Sequence, residues 1–130
     1  APWELPGDFD EASGHRAGLA LLEGERPDAV FAANDMMALG CLFAFAQAGV
    51  SVPKDIALAG FDDIPLARYV HPSLTTVRVN ISELGARAAR MLIAQMAEGV
   101  VTSPEALVPE LIVRDSSAPA WRRRAGPAGS

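Results

Sequence analysis

Cysteine is almost missing from this sequence: Cys41 stands alone among 130 residues. A disulfide within the chain is thereby excluded, and a zinc cluster has no cysteine partners. The scarcity fits a reducing compartment, and the cytoplasm is the expected location. Positive charge is also short. The net charge is −5, which speaks against general nucleic-acid binding by this stretch, because phosphate contacts need clustered Lys and Arg. The basic run Arg122 to Arg124 lies among Ala, Gly, Pro and Ser in residues 118–130, which are expected to form a disordered tail. No apolar run is long enough to cross a membrane, and no secretory leader opens the chain. There is no P-loop, G-x-S-x-G, G-x-G-x-x-G or H-E-x-x-H. His15 and His71 have no Cys or His at ligand spacing. The sequence therefore offers no catalytic residue, no metal site and no cofactor motif.

What is present is apolar surface in an ordered pattern. Half of the residues are hydrophobic, and a domain of this size buries roughly two thirds of its unfolded surface. After a Pro- and Gly-bearing loop, a helix is expected over 10–22, with Ala12, His15, Ala17, Leu19 and Leu22 on its face and Gly24 as its stop. Ala29 to Ala33 reads as a buried strand. Asn34 and Asp35 open a second helix to Gln47, apolar on nearly every side and ended by Gly49. Such a helix needs burial all round, against a sheet on one flank and another helix or subunit on the other. Ile56 to Phe61 is a second continuous apolar strand, and Leu74 to Val79 a third, β-branched run. Asn80, with Glu83 at capping-box spacing, opens a helix to Glu98 whose face is Ile81, Leu84, Ala88, Met91, Leu92 and Gln95. Leu107 to Val113 is the last strand candidate. Strands alternating with helices give an α/β fold with a mainly parallel sheet, and unbroken apolar strands imply helices on both faces.

In open sheets of this class, ligands bind beyond the carboxyl ends of the strands. Asn34-Asp35 follows the first strand and Asp62-Asp63 the second. If those strands are parallel neighbours, both pairs face one crevice. Asn brings a donor and an acceptor and ionised Asp accepts several hydrogen bonds, which suits a polyhydroxylated ligand. Phe9 or Trp3 offers a flat apolar face for a sugar ring or base. Each has a plain structural alternative. Asn34 serves equally as a helix cap, Asp35 complements the helix dipole, Asp62-Asp63 before Pro65 suits a turn, and Phe9 suits a hydrophobic staple. Adjacent aspartates at a strand end point opposite ways and do not make a facing acid–base pair.

The stretch Pro27 to Gly40, the stretch Gly49 to Pro65, Pro72 to Val77 and Glu83-Leu84-Gly85, with Gly7-Asp8-Phe9 and Ser13-Gly14 upstream, together resemble the LacI/GalR family of bacterial transcription regulators over about residues 7–116. The resemblance implies a periplasmic-binding-protein-like core of two α/β lobes with a small polar effector, a sugar for instance, between them. It implies that residues 1–117 are the C-terminal portion of that effector-binding domain. The helix over 80–98 would then belong to the first lobe, and the first-lobe strands and the operator-binding part would be missing upstream. It assigns ligand contacts to Phe9, Asn34 and Asp62, and a homodimer interface to Leu39, Leu42 and Tyr69. Operator DNA would be met only through the missing N-terminal domain. The alternative is an exported sugar-binding protein of a transporter, and a small α/β hydrolase or isomerase is a third reading.

Overall fold

The computed structural model describes residues 4–99 and 106–118. Trp3 and the basic run Arg122 to Arg124 lie outside the described residues, as does the expected tail beyond Ala118. The elements are α1 (Glu11–Ala20), β1 (Ala29–Phe31), α2 (Asp35–Gln47), β2 (Ala57–Phe61), a 3-10 turn (Pro65–Arg68), β3 (Thr75–Arg78), α3 (Ile81–Glu98) and β4 (Glu110–Ile112). One sheet of order β1-β2-β3-β4 joins them. β1, β2 and β3 run parallel, with Val30 opposite Leu58 and Gly60 opposite Thr76, and β4 is antiparallel to β3. The mainly parallel α/β fold expected from the apolar runs is the one formed.

Side-chain alternation along β2 separates two unequal faces. Leu58 and Gly60 are buried beneath α2, where Asp35 and Ala38 occupy the space above Gly60. Ala57, Ala59 and Phe61 project the other way and are only half-buried, and Phe31 on that side is 64% exposed. Burial on both faces, as the apolar strands suggested, is thus met on one face alone among the described residues. The core lies between the sheet and α2, where Phe45, Ile56, Leu58 and Leu74 are fully buried. Each contributes roughly 1.5–3 kcal/mol of apolar transfer free energy.

α1 packs on α2 through its small residues. Ser13, Gly14 and Gly18 are its buried positions, whereas Ala12 and Leu19, expected on the inner face, are exposed. A side chain on Gly14 would strike the Met37 backbone, and one on Gly40 the Glu11 carbonyl. The helices therefore meet backbone to backbone, which larger apolar residues would prevent. α1 also ends earlier than expected: Leu21 caps it, ahead of Gly24.

α3 begins as the sequence suggests, with Asn80 Oδ1 accepting from the Glu83 amide at 3.0 Å. The reciprocal half of the capping box is absent, because the Glu83 carboxylate accepts from Arg87 (2.7 Å) and pairs with Arg90 (3.4 Å) instead. Among the described residues α3 packs closely on no other element, and Ile81, Leu84, Leu92, Ile93 and Met96 are exposed. Its apolar face is real but covers nothing here. The last strand is shorter than the 107–113 run. Beyond it Ser116 ties the amino ends of β2 and β3 together: its hydroxyl donates to the Leu58 carbonyl (2.6 Å) and accepts from the Thr75 amide (2.8 Å).

Candidate functional site

Phe9, Asn34 and Asp62 stand at the carboxyl end of the parallel strands, on one rim. Asn34 follows β1 and Asp62 follows β2, and those strands are hydrogen-bonded neighbours. Asn34 takes the helix-cap reading of its sequence position. Its Oδ1 accepts from the Met37 amide (2.9 Å) as the cap of α2, while its Nδ2 donates to the Phe9 carbonyl (2.9 Å). Phe9 is thus held at the rim by its backbone. Its ring is 68% exposed, so it is no staple for α1. Asp62 is anchored by its amide, which donates to the Val77 carbonyl (2.9 Å). Its carboxylate is exposed and has no hydrogen-bond partner among the described residues.

Backbone strain concentrates at the same place. Among the described residues the non-glycine positions of positive φ are Phe9 (63°), Asp62 (112°) and Asp63 (52°). Such conformations cost on the order of 1–3 kcal/mol each, and they gather at ligand sites and switch regions where the surrounding structure imposes them.

The two adjacent aspartates separate, although both follow β2 at positive φ. Asp63 turns inward, its side chain only 3% exposed, to pair with Arg114 (2.6 Å) and Arg78 (2.7 Å). Burial opposes its ionisation, but the hydrogen bonds from Arg114 and Arg78 outweigh that and hold its carboxyl below the usual aspartate range. Sequence reasoning left Arg78 and Arg114 unassigned; a lone arginine at a strand end carries no signal of its partner. It also read Asp35 as facing the crevice beside Asn34 or as complementing the helix dipole, not as a buried tie. In the structure Asp35 is fully buried. Its Oδ1 accepts from the Thr76 hydroxyl (2.6 Å) and its Oδ2 from the Ile64 amide (2.9 Å). Burial pushes its carboxyl upward, the two hydrogen bonds oppose this, and nearby Asp62 and Asp63 add to the rise.

A second feature lies away from the rim. An apolar groove of about 690 Å³ is lined by Leu39, Leu42, Phe43, Ala46, Leu66 and Val70, with His15 at its wall. His15 Nε2 bonds to Gln47 Oε1 (2.7 Å) and its ring packs on Phe43 at 5.5 Å. Leu39 and Leu42 are half-buried there, Tyr69 is 77% exposed beside Val70, and Phe43 is 59% exposed. Cys41 is a buried core thiol, raised to about 11 by burial. Among the described residues no cluster of three His, Cys, Asp or Glu is placed to hold a metal ion, and no helix is long and apolar enough to cross a membrane.

Residues 3–117 match the family of periplasmic binding protein-like domains. The chain is 41% identical over 117 residues to the HTH-type transcriptional regulator MalR of Streptomyces coelicolor, a match covering 88% of this chain and 33% of that protein. It is 38% identical to the transcriptional repressor PurR of Pasteurella multocida, covering 88% and 35%. Among solved structures, a LacI family transcriptional regulator from Enterococcus faecium with bound ribose superposes with a TM-score of 0.76 at 33% identity, covering 88% of this chain and 43% of that one. The chain spans about a third of the length of the curated relatives it matches. These relatives are transcriptional regulators. The chain belongs to the periplasmic binding protein-like domain family, in the form carried by LacI-family transcriptional regulators.

Proposed function

We propose that this chain is the C-terminal portion of the effector-binding domain of a sugar-responsive, DNA-binding repressor that works in the cytoplasm and catalyses no reaction. The observation that carries the reading is the single rim on which Phe9, Asn34 and Asp62 meet, with all the strained non-glycine residues described here. Phe9 supplies a ring face, Asn34 an amide and Asp62 an unengaged carboxylate that accepts from vicinal hydroxyls. The first lobe, which includes α3 and otherwise lies outside this chain, closes over them. Operator DNA is met by a further, N-terminal domain. The bound ribose of the Enterococcus faecium relative supports a small polyhydroxylated effector. The regulator relatives favour this reading over an exported binding protein.

The groove supports a homodimer, with Leu39, Leu42 and Tyr69 at the subunit contact. Each site residue opens an element that lines it: Phe9 precedes α1, Asn34 caps α2, and Asp62 precedes the 3-10 turn bearing Leu66. The Gly14–Gly40 crossing makes α1 and α2 one body. An effector that binds one lobe arrangement better biases the dimer by that difference in affinity and no more. Calorimetric titration of the full-length protein with pentoses, hexoses and disaccharides tests the site. Asp62→Ala is expected to weaken the bound sugar roughly tenfold or more, as loss of a charged hydrogen bond does. Unchanged affinity would remove Asp62 from it.

A further inference from the structure

Asp35 is the one fully buried acid among the described residues, and it lies at a junction. It follows Asn34 directly in α2. Its Oδ2 takes the Ile64 amide, two residues after Asp62, at 2.9 Å. Its Oδ1 takes the Thr76 hydroxyl on β3 at 2.6 Å, and the same hydroxyl accepts from the Asp63 amide at 3.3 Å. Gly60 has no side chain because the Asp35 carboxylate occupies that space. One carboxylate therefore fixes the start of α2, the turn after β2 and the middle of β3 relative to one another.

The geometry points to Asp35 as a positioning residue that sets the spacing of Asn34 and Asp62 without touching ligand. This rests on the reading of the rim as an effector site. The turn at Asp62, with its φ of 112°, is held by amide bonds at either side, from Asp62 to Val77 and from Ile64 to Asp35, with the Asp63 amide bonded to Thr76 between them. Removing the Asp35 carboxylate frees the second of these. The turn then relaxes toward commoner backbone conformations, and the Asp62 carboxylate leaves its place. The Asp63 clamp to Arg78 and Arg114 holds only the inward half of the turn.

The test is amide hydrogen exchange on the full-length protein, wild type against Asp35→Ala and Asp35→Asn. Asparagine has the same shape; its Oδ1 can accept from Ile64 and its Nδ2 can donate to Thr76. For Asp35→Ala, exchange in peptides over 61–66 is expected to rise roughly tenfold or more, the effect of losing a hydrogen bond to a charged group, with little change over 41–47. Asp35→Asn is expected to restore most of the protection. A uniform rise across all peptides, or no rise at 61–66, overturns the proposal, since a purely stabilising acid does not single out that turn. Should Asp35→Ala not fold, Thr76→Val removes one of the two bonds and is expected to give the same local pattern more weakly; its absence is equally decisive. D-ribose and lactose titrated into the same samples separate the two readings. If neither these nor other sugars bind wild type, the sugar assignment fails while the exchange pattern still decides the role of Asp35.

Discussion

Two carboxyls next in sequence to rim residues respond to acid in opposite senses. Asp63 is held below its ordinary value of 3.8 in the folded state. It contributes stability fully above 3.8, and that contribution is lost as pH falls through its lower folded value. Asp35 is raised above 3.8. Its contribution is fully present below 3.8 and is lost as pH climbs through its raised value. Melting temperatures across an acid series of Asp63→Asn and Asp35→Asn check the signs. Asp63→Asn is expected to flatten the loss of stability below 3.8. The Asp35→Asn difference is expected to move in favour of the variant as pH rises above 3.8. The opposite slopes would mean that the Arg114 and Arg78 hydrogen bonds do not govern Asp63 and that burial does not govern Asp35. Phe9, Asn34 and Asp62 were legible in the sequence because they follow strand ends or resemble a known pattern. Asp35 and the Arg114 clamp were not, since the partners lie 41 and 51 residues away and no local signal records such a distance.

At the scale of elements, the α1–α2 crossing decides how the rim is carried. Gly14→Ala and Gly40→Ala each force a methyl into facing backbone, and overpacking of this kind costs about 1–3 kcal/mol. Gly24, with open space around it, is the control, expected to change stability by less than about 0.5 kcal/mol on substitution by Ala. Thermal unfolding of the three variants checks this; equal effects would contradict the close crossing. The strands and α2 were readable because continuous apolar runs and Asn and Gly caps are strong signals. The inner face of α1 was misread for a physical reason. Ser13, Gly14 and Gly18 are buried because they are small, and hydrophobic periodicity looks for large residues. The amphipathic spacing of α3 was readable, yet periodicity says nothing of whether a partner is near.

At the scale of the whole molecule, two apolar regions lie uncovered among the described residues, and the proposed assembly covers both. The open face of the sheet, with Phe31 and the stripe of α3, falls to the rest of the two-lobed domain, and the Leu39–Leu42 groove to a second copy. Leu42→Asp places a charge at the centre of that contact. Sedimentation velocity is expected to show the full-length protein shift from dimer to monomer, and an unaltered dimer would exclude the groove. The sequence carried the fold class and the family, because both rest on long ordered stretches, but it held no record of how the α1 and α2 backbones meet. A structure of the full-length protein bound to its effector bears most directly on the rim as a binding site. The expected result is an effector hydroxyl within hydrogen-bond reach, about 2.5–3.0 Å, of the Asp62 carboxylate, with Asn34 and the Phe9 ring also in contact. An effector seated elsewhere, in the Leu39–Leu42 groove for instance, with Asp62 left in solvent, would contradict it.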